Sequence, residues 1–318
     1  MREESKIKVN IIVLNYNGKD LLRECLPSLI EAAKISKYHC GVTVIDNASH
    51  DGSVEFLENN FREVSIDKRR DNKVLCAFND LLKRIDDDVV ILLNNDIKVK
   101  PDFVDPLIDV FIRQKDAFLA VPKTMSFDGT RCENGKGRAM IKYGMFWAIS
   151  RYPDYEKDAD TEAIISHSAN GAFHRERFVS LGGYDELYLP GIMEDADLCF
   201  RAYRRGYRCY YKPDSVVYHK GRESFKRAFK ERKIDELAHR NTFLFMWKNI
   251  TSGRILAEHL LFLVPRLLFA FVTAKTEFIS GFFEAVPKLP EAIKRRKDSS
   301  KEEITRSDIQ IFKEFKKV

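Results

Sequence analysis

The stretch most suited to chemistry is Val89-Val90-Ile91-Leu92-Leu93-Asn94-Asn95-Asp96, where five apolar residues lead into two amides and a carboxylate. An uninterrupted apolar run of this length is typical of a strand buried on both faces of a mostly parallel sheet. Ligands of open α/β sheets bind outside the carboxyl ends of such strands. Asp96 is therefore placed to meet a hard cation and a phosphate. An Asn/Asp turn that merely closes a strand has the same sequence.

Two earlier junctions have the same form. The apolar segment Lys8–Leu14 ends in Asn15-Tyr16-Asn17-Gly18, and Val42–Ile45 ends in a polar stretch that contains Asp46 and Asp51. Helical spacing follows each junction, and this strand-turn-helix rhythm predicts an α/β fold with a mostly parallel sheet.

Three segments are predicted to be the helices that link and cover these strands. Asp20–Ala33 has helical spacing, but Pro27 within it predicts a kink or an early end. Val54–Asn60 is predicted to follow the second junction, and Asp71–Ile85 to precede the strand that ends at Asp96.

A second acidic cluster lies further along the chain. The glycine turn Gly182-Gly183-Tyr184-Asp185-Glu186 precedes Glu194-Asp195-Ala196-Asp197, which begins a predicted helix. Acidic side chains in a first helical turn interact favourably with the helix dipole. Taken alone, the cluster indicates no more than that.

Composition divides the chain into two parts. The net charge is +6, but residues 222–318 contain 21 Lys and Arg against 13 Asp and Glu, which leaves about −2 for the first 221 residues. A basic segment could favour nucleic acid or an anionic membrane, and its apolar content favours the membrane. The six scattered cysteines form no C-x-x-C pair and predict reduced thiols in a cytosolic compartment, and no signal-peptide apolar region precedes the first strand.

Four signatures in order resemble the family-2 glycosyltransferases of the GT-A fold, over roughly residues 8–224. They are Ile12-Val13-Leu14-Asn15-Tyr16-Asn17, Ile45-Asp46-Asn47-Ala48-Ser49-His50-Asp51-Gly52-Ser53, Leu92-Leu93-Asn94-Asn95-Asp96, and the glycine turn with Glu194-Asp195-Ala196-Asp197-Leu198 and Arg201. The set looks most like the rhamnosyltransferase-like branch of bacterial polysaccharide enzymes. The resemblance implies a GT-A catalytic domain at residues 1–225 and a helical C-terminal extension at residues 226–318.

The resemblance also implies a site for a nucleotide-diphosphate sugar, with a UDP- or dTDP-sugar expected. The residues implied to bind this donor are Asn15, Tyr16, Asp46, Asp51, Lys73, Asn79 and Asn95. Asp46 would accept a hydrogen bond from a pyrimidine N–H; the alternative is that Asp46 and Asp51 merely cap turns. Relatives have a glycine-bearing Asn-x-Gly-Phe stretch before the metal strand. This chain has Asn72-Lys73-Val74 without glycine, which puts the nucleotide contacts and the donor's identity in question.

A divalent metal and a general base complete the implied site. The family motif is Asp-x-Asp, of which Asn94-Asn95-Asp96 keeps the last carboxylate, so Asp96 is the implied ligand of Mg²⁺ or Mn²⁺. His219 falls where some relatives place a second ligand, and a packed or surface histidine is the alternative. Asp195 is the implied base for an inverting transfer, and Glu194 has a supporting role.

The C-terminal third predicts contact with a membrane surface. Ile255–Phe283 is rich in Leu and Phe, but charged residues interrupt it, so amphipathic helices in the interface fit better than a spanning helix. The basic run Lys294-Arg295-Arg296-Lys297 would meet anionic headgroups. The alternative is a helical hairpin that packs on the catalytic domain or on a second subunit.

The expected function is therefore transfer of a sugar to a saccharide or lipid-linked acceptor in cell-surface polysaccharide synthesis. The enzyme would lie at the cytoplasmic face of the membrane and bind no nucleic acid. Two alternatives remain open from sequence: a sugar nucleotidyltransferase, and a catalytically inactive relative that acts as a membrane-bound partner.

Overall fold

A mixed β-sheet forms the centre of the computed structural model, which describes residues 7–134, 136–149, 161–162, 170–221, 230–299 and 304–314. The strand order is β10-β12-β6-β11-β4-β1-β2-β3, with β5 paired to β12 and β7 paired to β6, while β8 and β9 form a separate hairpin. The strands are Lys8–Asn15 (β1), His39–Asp46 (β2), Ser65–Lys68 (β3), Val89–Asn94 (β4), Ile97–Val99 (β5), Ala117–Ser126 (β6), Cys132–Asn134 (β7), Arg138–Lys142 (β8), Met145–Ile149 (β9), Thr161–Glu162 (β10), Gly171–His174 (β11) and Arg208–His219 (β12).

Helices cover both faces of this sheet and continue beyond it. They are Lys19–Ile35 (α1), Ser53–Asn60 (α2), Ala77–Leu82 (α3), Val104–Arg113 (α4), Arg175–Ser180 (α5), Glu194–Arg204 (α6), Glu231–Asn249 (α7), Gly253–Val272 (α8), Thr276–Ala285 (α9), Leu289–Ser299 (α10) and Asp308–Glu314 (α11). Short 3₁₀ turns lie at Val74–Cys76, Glu186–Tyr188 and Val286–Lys288.

The apolar run of β4 is buried on both faces, as predicted. Val89, Ile91 and Leu93 pack into one core with α1 and α4, whereas Val90 and Leu92 pack into a second core on the opposite face. β4 pairs in parallel with β1, which pairs in parallel with β2, so the carboxyl ends of these three strands meet at one edge. The sheet thereby assembles the three polar junctions found in the sequence.

Two helix predictions were wrong in extent. α1 runs through Pro27 to Ile35, because Leu26, Leu29 and Ile30 on either side of the proline are buried in the core. Tertiary packing therefore outweighs the local cost of proline, about 3 kcal/mol in a helix interior. The segment predicted as a helix over Asp71–Ile85 forms only a 3₁₀ turn and the six residues of α3.

Helix α7 is part of the catalytic core. Phe243, Leu244 and Phe245 are fully buried in the same cluster as residues of β4, β6 and α6. The expected domain boundary at 225/226 lies outside the described residues. The helix that follows it packs against the GT-A-like portion and belongs to the same core.

The predicted basic run is only partly a free surface. Arg295 binds the carboxylates of Asp185 and Glu291, and Arg296 donates to the Met246 carbonyl. In the described part of the chain, α8 is the helix long and apolar enough to cross a membrane by length and composition.

Candidate active site

The three strand ends are joined by one hydrogen-bonded chain of buried polar side chains. Asn15 Nδ2 donates to Asp46 Oδ2 (3.0 Å), and Asn95 Nδ2 donates to Asn15 Oδ1 (2.7 Å). Asp46 Oδ1 accepts from the backbone N–H of Ser49 (2.9 Å). The amide atoms thus fix the edge of the sheet, while each carboxylate oxygen of Asp46 keeps a lone pair for another donor.

The first junction depends on a glycine that sequence reasoning overlooked. A Cβ at Gly18 would lie 2.0 Å from Asn95 Nδ2 and 2.6 Å from Asn15 Oδ1, so only glycine allows this approach. The signal was present in Asn15-Tyr16-Asn17-Gly18, which was treated as a turn. Tyr16 is 41 % exposed, whereas Asn15 and Gly18 on either side of the turn are buried.

Asp51 joins the first two junctions by capping both following helices. Its Oδ2 accepts from the N–H of Lys19 at the start of α1 (2.9 Å), and its Oδ1 accepts from the N–H of Ser53 at the start of α2 (3.0 Å). Partial burial would raise the pKa of Asp51, but these hydrogen bonds stabilise the carboxylate and lower it. These are the capping contacts that the sequence left open as an alternative.

Asp96 lies after β4 beside His219 at the end of β12. His219 Nε2 is 3.4 Å from Asp96 Oδ2, and Nδ1 is 3.5 Å from Glu133 Oε2. Burial alone would lower the pKa of His219, but Asp96 and Glu133 outweigh it and raise the pKa. The other oxygen of Asp96 is buried with no hydrogen-bond partner among the described residues. A bare buried carboxylate oxygen next to an imidazole suits a divalent cation.

The Asn72–Asn79 stretch replaces the family glycine with a strained valine. Val74 has φ = +49°, a left-handed conformation rare for a β-branched residue. Asn72 Oδ1 accepts from the Val74 N–H (2.9 Å), and Asn47 Nδ2 donates to the Val74 carbonyl (3.2 Å). Two asparagine side chains therefore hold this left-handed turn. Lys73, the implied phosphate contact, lies 3.5 Å from Glu186 Oε1.

Asn79 clasps the Gly182–Glu186 turn. Its Nδ2 donates to the Tyr184 carbonyl (2.7 Å) and its Oδ1 accepts from the Tyr184 N–H (2.9 Å), so both amide atoms are engaged with backbone. Gly183 has φ = +69°, and a Cβ there would lie 2.1 Å from Asn79 Oδ1. The described contacts of Asn79 are structural, and its implied donor contact stays a prediction.

Glu194 and Asp195 begin α6 in different surroundings. Glu194 Oε2 is buried without a hydrogen-bond partner among the described residues, whereas Asp195 is partly exposed. Burial, with the charge of Asp195, raises the pKa of Glu194 to about 8. Glu194 is therefore mostly protonated at neutral pH. It lines a narrow crevice with Val74, Leu75, Cys76, Asp185, Tyr188, Leu189 and Gly191.

The loop that leads into this pair is strained and is held by α7. Ile192 and Met193 have φ values of +74° and +80°. Left-handed conformations in non-glycine residues cost on the order of 1–3 kcal/mol each and persist only where surrounding contacts impose them. Asn241 of α7, fully buried, donates from Nδ2 to the carbonyls of Tyr188 (2.9 Å), Gly191 (2.8 Å) and Ile192 (2.8 Å).

A buried ionic cluster supports the same helix from below. Asp197 accepts from Tyr188, Arg201, Lys248 and Asn249 at 2.6–2.8 Å. Burial alone would raise the pKa of Asp197, but the charges of Arg201 and Lys248 hold it well below its usual range. Lys248 also lies 2.6 Å from Asp185 Oδ2. Asp197 and Asp185 are therefore structural partners of α6 and α7.

The structure brings the predicted residues into two groups. One group consists of Asn15, Asp46, Asn95 and Asp96 at the edge of the sheet, with Tyr16, Asp51 and His219 around it. The other is the acidic start of α6, where Glu194 lines a crevice together with residues of the Asn72–Asn79 stretch. Sequence reasoning missed Asn241, Lys248 and Asn249, because nothing near them in the chain marks them as partners of residues about fifty positions earlier.

The protein has a mixed β-sheet flanked by helices, with a polar edge at the ends of β1, β2 and β4. This arrangement defines a GT-A fold. Solved structures agree. The chain is similar to the crystal structure of GalNAc-T7 with UDP, GalNAc and Mn²⁺ (17 % identity, TM-score 0.56), covering 68 % of this chain and 44 % of that one. It is also similar to residues 1–349 of S. aureus TarS in complex with UDP-GlcNAc (17 % identity, TM-score 0.57), covering 92 % and 89 %.

The sequence profile described as Glycosyl transferase family 2 matches residues 10–181, more than half of the chain. The chain therefore belongs to glycosyl transferase family 2 and is a glycosyltransferase. No curated protein matches its sequence. The fold and family predictions are thus confirmed, while the rhamnosyltransferase-like branch stays a prediction.

Proposed function

We propose that the protein is an inverting, metal-assisted glycosyltransferase that uses a UDP- or dTDP-sugar. The observation that carries the proposal is the bare buried oxygen of Asp96 beside His219, at the end of β4 in a family-2 fold. Both structural neighbours were crystallised with UDP or a UDP-sugar, and one with Mn²⁺. The ligands of these neighbours support the choice of donor and of metal.

Asp96 and His219 would hold Mg²⁺ or Mn²⁺, which would stabilise the negative charge of the leaving diphosphate as a Lewis acid. Among the described residues no three His, Cys, Asp or Glu side chains are grouped to hold a metal by themselves. Donor phosphate oxygens and water would therefore complete the coordination, as is common for Mg²⁺. Tyr16 and the remaining lone pairs of Asp46 would contact the nucleoside.

Asp195 is the better candidate for the base. A general base must be ionised, and Glu194 is mostly protonated at neutral pH. Asp195 would take the proton of an acceptor hydroxyl as its oxygen attacks the anomeric carbon. The bond from that carbon to the diphosphate oxygen breaks with its electron pair, and the configuration inverts. A saccharide or lipid-linked glycan of the cell surface is the proposed acceptor, in line with the rhamnosyltransferase-like resemblance.

The test combines binding and turnover in three variants. We expect a UDP- or dTDP-sugar to raise the melting temperature in the presence of Mn²⁺. At a donor concentration of roughly 100 times Kd, binding should add about 2.7 kcal/mol to the free energy of unfolding. Asp96→Ala should lose this shift. Asp195→Asn should keep it while donor turnover falls by ~10²–10⁴-fold. Asp86→Ala, at an exposed carboxylate paired with Lys8 at the opposite end of β1, is the control and should behave as wild type.

Each part of the proposal can fail separately. A metal-dependent shift that survives in Asp96→Ala would place the metal elsewhere. Donor binding without any transfer or donor hydrolysis would favour the inactive-partner alternative. A folded protein that no nucleotide sugar stabilises would overturn the donor site.

A further inference from the structure

The exposed side of α8 is apolar from Ala257 to the end of the helix. Nine exposed residues recur at helical spacing along it, and none is charged: Ala257, Leu260, Leu261, Val264, Pro265, Leu268, Phe269, Phe271 and Val272. We call these residues the apolar face. Leu261 is 70 % exposed, Phe271 76 % and Val272 82 %. Soluble monomers rarely expose a contiguous apolar patch of this kind without a partner.

Charged residues lie close to this face as well. Arg254 is exposed in the first turn, three residues before Ala257 and seven before Leu261, so it is in line with the face at its N-terminal end. Glu258 and Arg266 are half-buried, and Arg266 binds the Tyr143 carbonyl. From Ala257 to Val272, α8 therefore has no exposed charged residue.

Polar contacts fix the inward side of α8 to the rest of the molecule. His259, fully buried, accepts from Trp247 Nε1 at its Nε2 (3.2 Å) and donates from Nδ1 to the Gly144 carbonyl (2.8 Å). Gly144 lies so close to α8 that a Cβ at this position would be 2.2 Å from the backbone nitrogen of His259. These contacts tie α8 to α7 and to the β8–β9 hairpin, so only one side of the helix is available to an outside partner.

Two lysines lie near the apolar face, one just after its C-terminal end and one on the β8–β9 hairpin. Lys275 Nζ lies 5.9 Å from the centre of the Phe269 ring, just after α8. On the hairpin, Lys142 Nζ lies 5.5 Å from the Tyr143 ring, which in turn contacts Phe262 of α8 (5.3 Å between ring centres). Exposed aromatic rings beside lysines suit the boundary between acyl chains and anionic headgroups.

We propose that the apolar face is the membrane-docking surface of this protein, and that α8 lies in the plane of an anionic bilayer. The helix is about 30 Å long, enough to span a bilayer, but a spanning helix would have to abandon the His259 and Arg266 contacts. A uniformly apolar stripe with nearby lysines fits the bilayer boundary, where Lys142 and Lys275 would meet phosphate groups. The surface includes no residue of the donor site.

The test measures binding to vesicles, with no sugar donor present. Vesicles of phosphatidylcholine alone are compared with vesicles containing phosphatidylglycerol at a ratio of about 7:3. We expect the wild type to co-sediment with the anionic vesicles, and the double variant Leu261→Gln/Leu268→Gln to bind them at least about tenfold more weakly. Because both leucines are exposed, this variant should retain the wild-type melting temperature.

A matched control separates the face from general hydrophobicity. Ile35→Gln/Ile112→Gln removes two exposed apolar side chains from α1 and α4 and should bind vesicles as the wild type does. Lys142→Glu/Lys275→Glu should abolish the preference for anionic vesicles. Wild-type protein that binds neither vesicle, or a face variant that binds as well as wild type, would overturn the proposal. Sedimentation velocity that shows a wild-type dimer and a monomeric face variant would assign the face to a second copy instead.

Discussion

Adjacent carboxyl groups with different surroundings can take different roles, and Glu194 and Asp195 illustrate this at the scale of single residues. Glu194 has its pKa raised to about 8 by burial, while Asp195 stands at the partly exposed side of the same turn. Pairs of acids whose environments separate their protonation states are typical of sites that need one neutral and one ionised group. The sequence showed the pair but not its surroundings, which come from residues of the crevice.

The protonation of Glu194 predicts a pH-dependent stability. The pKa of Glu194 in the folded state lies above the ordinary value of 4.5, so the folded state retains a proton that the unfolded state loses. The stability that this proton contributes is complete below about pH 4.5 and is lost as the pH rises through about 8. From about pH 5 to about pH 8, wild type should therefore lose free energy of unfolding relative to Glu194→Gln, with a slope of up to ~1.4 kcal/mol per pH unit. Urea unfolding across this range measures the difference.

Glu176→Gln, at an exposed position in α5, is the control and should run parallel to wild type. A Glu194→Gln variant that also runs parallel to wild type would show that Glu194 is ionised in the fold, and would weaken the assignment of the base to Asp195.

Val74 shows what a sequence pattern can and cannot reveal. The missing glycine suggested that the turn before the metal strand had changed, yet the backbone keeps a left-handed residue there. Asn47 and Asn72 hold the turn through side-chain hydrogen bonds, which no local propensity encodes. The conformation of Val74 therefore depends on side-chain contacts that a sequence pattern does not reveal.

Among secondary-structure elements, the strands were the most predictable. β1, β2 and β4 were correct because an apolar run followed by a polar turn reports both burial and the end of a strand. α1 was predicted to kink or end at Pro27 because local propensity has no term for the core that α1 covers. The contribution of α7 to the site was missed, because Asn241 and its three carbonyl partners are about fifty residues apart.

α7 is predicted to position the Ile192–Met193 loop, which leads into the proposed base Asp195. Asn241→Ala removes the donor shared by three buried carbonyls and should lower the free energy of unfolding by ~2–3 kcal/mol. The strained Ile192–Met193 backbone would then relax and shift Asp195, so kcat should fall. The donor Kd should stay unchanged, because the donor site lies at the ends of β1, β2 and β4. Steady-state kinetics and donor titration measure the two effects separately.

The adjacent Thr242→Ala is a matched control, because among the described residues the Thr242 hydroxyl donates only to the Ala238 carbonyl within the same helix. It should cost less than ~1 kcal/mol and leave kcat intact. If Asn241→Ala is destabilised but retains full kcat, the loop is not positioned by α7.

At the scale of the whole molecule, the C-terminal helices complete the catalytic portion. Phe245 of α7 lies 4.2 Å from the ring centre of Phe146 and 5.3 Å from that of Phe200, inside the core shared with the sheet. The predicted boundary near residue 225 rests on the end of the family signatures and on the change in composition. Packing across that boundary depends on contacts between distant residues, which composition does not report.

A chain cut after residue 225 is therefore predicted not to fold cooperatively. It would expose the apolar surface that α7 covers and leave Asp197 buried without Lys248, and removing one partner of a buried ion pair costs about 3–5 kcal/mol. We expect the fragment to lack the near-ultraviolet circular dichroism and the sharp urea transition of the full chain. A fragment that unfolds cooperatively at the wild-type midpoint would instead establish residues 1–225 as an independent domain.

The contacts between Asp197, Lys248 and Asn249 also set an order of events during synthesis. The sheet, with Asp96, and α6 leave the ribosome well before α7. The nascent chain therefore contains every candidate catalytic residue at a stage when the Ile192–Met193 loop still lacks the support of Asn241. Asn241 and Lys248 emerge only shortly before the apolar face of α8. The protein would thus gain a finished active site and a lipid-seeking helix almost together, which limits the time in which an active transferase could remain away from its proposed membrane.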